Sequence, residues 1–268
     1  MASAPTRPDP WQSLAALTAA RIGLGRAGGS VPTQPLLQFQ LAHARARDAV
    51  LQDLDSDALD AQLAAAGFET LRLASAARDR ATFIARPDLG RILDDASRQV
   101  LEARAQLQTA LFDCAVVVAD GLSARAVMAH AVPLLTELRA RLTPSTWQLA
   151  PVAIVRQGRV AIGDEVGALL PARMTVLLIG ERPGLSSPDS LGVYLTHDPL
   201  PGRSNAERNC LSNIRPPEGL SYAVAAHKLA YLMHEARRRQ LSGVELKEDA
   251  PLLQLSGAAS AGVARLSD

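Results

Sequence analysis

A chain of 268 residues carrying 28 Lys and Arg against 27 Asp and Glu offers no global electrostatic case for nucleic acid or an anionic membrane, so partners must be met by local surfaces. Hydrophobic residues make up 48% but aromatic residues only 3%, so the core must be built from Ala, Leu and Val, which favours closely packed helices. Cys114 and Cys210 are too few for a disulfide framework, no Cys/His cluster offers metal ligands, and neither a secretory leader nor a membrane-length apolar run is present, so a cytoplasmic, reducing location is expected.

From Asp9 to about Leu111 the apolar residues recur at helical spacing, as in Leu36, Leu37, Leu41 and Ala44, and again in Ile92, Leu93, Ala96, Val100 and Leu101. Residues 1–110 are therefore expected to form a helical N-terminal region, punctuated by Pro32, Pro35, Gly67, Pro87 and Gly90, with Asp57 and Asp88 as candidate caps. Gly23-Leu24-Gly25-Arg26-Ala27-Gly28 has the spelling of a dinucleotide-binding turn. It follows an Ala-rich stretch, Leu14 to Ile22, that reads as helix rather than strand, and Pro32 comes soon after, so it reads as a Gly-rich connector. The segment Trp11 to Leu24 is amphipathic enough to dock on a partner.

After Leu111 the pattern changes to short β-rich apolar runs ending in turn residues. Asp113 to Gly121, Val152 to Val155 and Met174 to Gly180 read as buried strands, and Ser123 to Leu142, Ile162 to Leu170 and Tyr222 to Leu241 as helices between and after them. This alternation predicts an α/β fold: a helical N-terminal region followed by an open, mostly parallel, Rossmann-like sheet flanked by helices, spanning 111–247. Residues 248–268 are expected to be a flexible tail. Ligands bind such sheets outside the carboxyl ends of the strands, which here carry Asp120-Gly121 and Gly180-Glu181-Arg182-Pro183-Gly184.

Gly121-Leu122-Ser123-Ala124-Arg125 misses the nucleophile-elbow spelling by its second glycine, so Ser123 is better placed as a helix N-cap. His43, His130, His227 and His234 fall on helix-like segments, and Arg237-Arg238-Arg239 closes a helix where cations complement the macrodipole.

Several spellings combine in order along the chain. Arg21 to Gly28, His43 to Val50, Arg86-Pro87-Asp88-Leu89-Gly90-Arg91, Val118 to Ala124, Gly180 to Leu185 and Arg208 to Ile214 together resemble the light chain of ethanolamine ammonia-lyase over roughly residues 9 to 247. The resemblance implies an adenosylcobalamin enzyme that converts ethanolamine to acetaldehyde and ammonia by radical migration and elimination. It further implies that a large β/α-barrel subunit binds substrate and supplies the catalytic side chains, while the light chain closes over the cobalamin and meets the large subunit through its N-terminal region, with a bacterial microcompartment shell as a further expected partner for Trp11 to Leu24. No residue of this chain is then expected to be catalytic.

Three cofactor contacts follow from the resemblance: Val160 as an apolar or backbone contact, Glu181 as a carboxylate accepting hydrogen bonds, and Cys210 as a small polarizable contact. No Asp-x-His-x-x-Gly is present, so the cofactor's own base is expected to stay on cobalt. The alternatives are a free-standing α/β hydrolase using Ser123 and a non-catalytic cobalamin-binding protein.

Overall fold

The computed structural model describes residues 6–107, 110–142 and 146–253. The expected tail falls largely in 254–268, outside the described residues. The chain opens with an arm in which β1 (Thr6–Arg7) pairs antiparallel with β2 (Arg26–Ala27) around a 3-10 turn at Gln12–Leu17. The arm replaces the α-helix expected over Leu14 to Ile22. Its glycines serve close packing: Gly25 lies in the left-handed region at φ 74°, and a Cβ there would stand 2.7 Å from the Arg7 carbonyl oxygen.

Three helices and one strand follow. α1 (Thr33–Leu51) takes Pro35 into its first turn, where the missing N–H costs no helical bond, so Pro35 starts this helix rather than interrupting the region. α2 (Ser56–Ala65) is capped by Asp55, whose carboxylate accepts the Ala58 N–H at 2.9 Å; Asp57, the expected cap, instead pairs with Arg72. β3 (Thr70–Ala74) corrects the all-helical reading of this half, because it pairs with a strand from beyond residue 150. α3 (Arg80–Ala85) is capped by Asp79, while the Asp88 carboxylate pairs with Arg86 and caps nothing.

α4 (Asp95–Gln106) leads into the expected alternation: β4 (Ala115–Ala119), α5 (Ala124–Arg139), β5 (Val152–Arg156), α6 (Ile162–Leu169) and β6 (Met174–Gly180). β7 (Leu191–His197), β8 (Arg208–Ile214) and α7 (Tyr222–Arg239) complete the fold. The six-stranded sheet runs β3-β5-β4-β6-β7-β8. Its first four strands are parallel and its last two antiparallel, so the open α/β sheet is as expected with an added antiparallel hairpin edge.

Alternation along the strands divides the core between two faces. Val116 and Val118 of β4, with Ile154, Val176 and Leu178, pack against Leu134, Leu138, Leu229 and Met233 of α5 and α7. Val117 and Ala119, with Val155, Leu177 and Ile179, pack against Leu101 of α4 and Ile162 and Val166 of α6. Truncating a fully buried member such as Leu134 to Ala would cost about 2–5 kcal/mol, more than any exposed ion pair contributes. No helix among the described residues is long and apolar enough to cross a membrane.

Candidate functional site

The connections leaving β4 and β5 run to opposite faces, since α5 belongs to one core and α6 to the other. That divergence opens a crevice at the carboxyl ends of neighbouring strands, where the main chain presents its N–H groups and no side chain need intervene. A cavity of about 410 Å³ occupies this place.

Glycines form its floor. Leu122 donates its N–H to the Gly180 carbonyl at 3.0 Å, joining the turn after β4 to the end of β6. A Cβ on Gly180 would stand 2.1 Å from the Ser123 carbonyl oxygen, and one on Gly121, at φ 54°, would stand 2.3 Å from the Gly180 carbonyl oxygen. Only glycine permits this approach of backbone to backbone.

Beneath the floor, Asp120 is fully buried at the end of β4 and accepts the N–H groups of Gln157 and Gly158, each at 3.0 Å. Burial pushes its carboxyl up to about 6, against the pull of Arg80 and these N–H groups. Arg80 reaches in from α3 to donate to the carbonyl oxygens of Gly121, at 2.9 Å, and Val50, at 2.7 Å, and to the Gln157 side chain at 3.2 Å. The turn after β5 is thereby fixed from two sides. Arg80 carries no signal in the sequence, because its partners lie 30 to 77 positions away.

Val160 and Glu181, two of the three residues singled out from the sequence, line this cavity together. Val160 follows the Gln157-Gly158-Arg159 turn, at the entry to α6. Glu181 follows β6, and its side chain accepts from the Ser212 hydroxyl at 2.5 Å and the Asn213 N–H at 3.2 Å. Gly192 on β7 leaves room for it, since a Cβ there would lie 3.0 Å from Glu181 Oε1.

Cys210, the third, sits on β8 opposite Tyr194 of β7, and Tyr194 lines the cavity. Burial, with Cys210 and Glu181 beside it, pushes the Tyr194 phenol up to about 12. Two of the three positions thus line one concave surface, and Cys210 lies outside its lining, across the ladder from Tyr194. Tyr194, Arg80 and Arg159 are the members that sequence reasoning did not single out.

The remaining wall is apolar, from Phe83, Leu122 and Ile179. Arg159 stacks its guanidinium 4.4 Å from the centroid of the Phe83 ring and donates to the Phe83 carbonyl at 3.0 Å. A surface with an apolar wall, a carboxylate acceptor and guanidinium and phenol donors suits a large ligand with a hydrophobic body and a polar rim.

Ser123 is placed otherwise. Its buried hydroxyl accepts the Ala126 N–H as the α5 cap and donates to the Pro188 carbonyl at 3.0 Å, and no histidine among the described residues bonds it. His130 is engaged by Tyr222 at 2.8 Å, His227 by the Pro251 carbonyl and His234 by the Ala230 carbonyl. A hydrolytic nucleophile finds no general base here.

Comparison with known proteins agrees with the pattern of motifs. The sequence model of the ethanolamine ammonia-lyase light chain matches residues 8–247. Among curated proteins, the ethanolamine ammonia-lyase small subunit of Ralstonia nicotianae is 60% identical over 248 residues, 92% of each chain. That of Azotobacter vinelandii is 57% identical over 256 residues, 96% of this chain and 94% of the relative, and that of Pseudomonas syringae pv. tomato is 57% identical over 253 residues, 94% and 88%.

Proposed function

This chain belongs to the ethanolamine ammonia-lyase light-chain family, and from that premise we propose that it is the small subunit of an adenosylcobalamin-dependent enzyme that converts ethanolamine to acetaldehyde and ammonia. The observation that carries the reading within the molecule is the glycine-floored cavity at the carboxyl ends of β4, β5 and β6, where Val160 and Glu181 meet and which Cys210 borders through Tyr194. The residues fit the cofactor. A corrin has an apolar macrocycle rimmed by neutral amides, and the cavity offers an apolar wall with a carboxylate to accept amide N–H groups. Two buried donors near it, Arg159 Nε and Arg80 Nη2, have no partner among the described residues.

When bound, adenosylcobalamin supplies the radical by homolysis of its cobalt–carbon bond. The chain's own residues bind and orient. Glu181 would accept from an amide of the corrin rim and Val160 would offer it an apolar contact. Cys210 and Tyr194 would lie beside it, while Asp120 and Arg80 keep the turn carrying Val160 in place. None of them is set to move a proton to or from a substrate: Asp120 is sealed beneath the floor, and no histidine among the described residues lines the cavity. Substrate binding and proton transfer therefore fall to the large subunit. We assign its contact to the open, exposed side of the molecule, where Trp11, Leu17, Leu37 and Leu41 present apolar side chains from the arm and from α1.

The test is reconstitution. Ethanolamine turnover should require this chain, the large subunit and adenosylcobalamin together, and omission of any one should abolish it. Turnover by the chain with adenosylcobalamin alone, above a no-protein control, would overturn the division of labour.

A further inference from the structure

The cavity carries more positive charge than its own residues compensate. Arg159 and Arg182 both line it, and neither they nor Arg91 forms an ion pair among the described residues. Glu181, the carboxylate that lines the cavity, forms an ion pair with neither of them among the described residues and accepts instead from Ser212 and Asn213. The Arg159 guanidinium is partly buried, its Nε sealed from solvent without an acceptor, and burial followed by the neighbouring charges of Arg91 and Arg80 pulls its pKa down. A buried cation whose nearest strong charges are other cations is costly unless an anion completes the site.

The side chain is also held in advance. Its stem passes over Gly90, where a Cβ would stand 2.8 Å from Arg159 Cγ and 3.0 Å from the Phe83 ring. The Gly90 carbonyl accepts the Arg159 N–H at 2.7 Å, and the Phe83 ring and carbonyl fix the guanidinium plane. With Nη2 held by the Phe83 carbonyl and the plane fixed beside an apolar wall, the guanidinium is left to meet an anion through Nη1, in one orientation that a freely rotating ammonium does not hold.

We propose that Arg159 is the anion-recognising residue of this cavity and that the anion it takes is the phosphodiester of the cobalamin nucleotide tail. The assignment rests on the cofactor reading above and deepens it. Every side chain on the corrin rim is a neutral amide, so the phosphodiester is the one anionic group that cobalamin can bring to the unpaired guanidinium. Arg159 then selects complete cobalamins over corrinoids that lack the tail.

The experiment is equilibrium binding, followed by visible absorbance, on the complex of full-length chain with the large subunit, wild type against Arg159→Gln and Arg159→Lys. Three ligands are compared: adenosylcobalamin, adenosylcobinamide carrying a methyl phosphodiester but no base, and adenosylcobinamide with neither. Arg159→Gln should weaken the first two by about 10- to 150-fold and leave the third within about twofold of wild type. Arg159→Lys, which keeps the charge and is the milder change should the Gln variant fold poorly, should show the same pattern with a smaller loss. Equal weakening of all three ligands, or none, would overturn the role of Arg159 while leaving the cofactor reading intact. If wild type binds none of the three, the cofactor reading itself falls.

Discussion

Tyr194 and Cys210 stand opposite each other across the β7–β8 ladder, and because Tyr194 lines the cavity this register brings Cys210 to the edge of the surface formed by Glu181 and Val160. Cys210 lies on an exposed stretch of the edge strand, whereas Cys114 is sealed in the core with its thiol pushed up to about 12 by burial. In the native chain a thiol reagent should therefore label one cysteine, Cys210, and in denaturant both. The Cys210 thiol is itself raised, first by burial, so its labelling should accelerate with pH only above the ordinary thiol range. In the reconstituted complex, adenosylcobalamin should slow the reaction; an unchanged rate on adding the cofactor would place Cys210 outside its footprint.

Asp120 predicts an unusual pH response. Its folded-state carboxyl is raised from 3.8 to about 6, so the folded chain holds this proton more tightly than the unfolded chain does. The resulting stabilisation is fully present below about pH 4 and is lost as pH rises through 6. Asp120→Asn, which cannot ionise, should be less stable than wild type at pH 4, and the deficit should narrow by on the order of 3 kcal/mol by pH 7. Urea midpoints of both proteins across that range measure it. A deficit that widens with pH would mean that the charged carboxylate is the form the fold favours.

The parts of the fold that are legible in the sequence are those in which one physical signal dominates. β4 and β6 announce themselves as unbroken apolar runs ended by Asp120-Gly121 and Gly180, because both of their faces are covered by helices. β3 is hidden among helices: Arg72 sends its side chain to the acidic residues of α2, and only Leu73 of its five residues is fully buried. β8 is harder still, an edge strand with three of seven positions buried and a register shift against β7. At the site, Glu181 is legible from its place after β6. Cys210 is not, since its position beside Tyr194 is a matter of register, and Arg80 joins Asp120 only through the tertiary fold.

Gly180 supplies a test of the cavity floor. A methyl group there would meet the backbone oxygens of Ser123 at 2.1 Å and Asp120 at 2.5 Å, neither of which can turn aside as a side chain does. Gly180→Ala should cost about 3 kcal/mol, at the upper end for overpacking, and lower the melting temperature by several degrees. Gly29→Ala is the control, because nothing lies within 4 Å of a Cβ at Gly29. Equal melting temperatures for the two variants would refute the close-packed floor.

Glu181 bears most directly on the claim that this cavity holds the cofactor. Its carboxylate is anchored by Ser212 and Asn213 at the ligand-facing end of the sheet, where it accepts hydrogen bonds rather than moves protons. A hydrogen bond to a charged acceptor contributes about 1.5–3 kcal/mol, so Glu181→Gln in the reconstituted complex should weaken adenosylcobalamin binding by about 10- to 150-fold. Ethanolamine turnover at saturating cofactor should stay near wild type. Unchanged affinity together with collapsed turnover would contradict the account and move Glu181 from holding the cofactor to serving the chemistry.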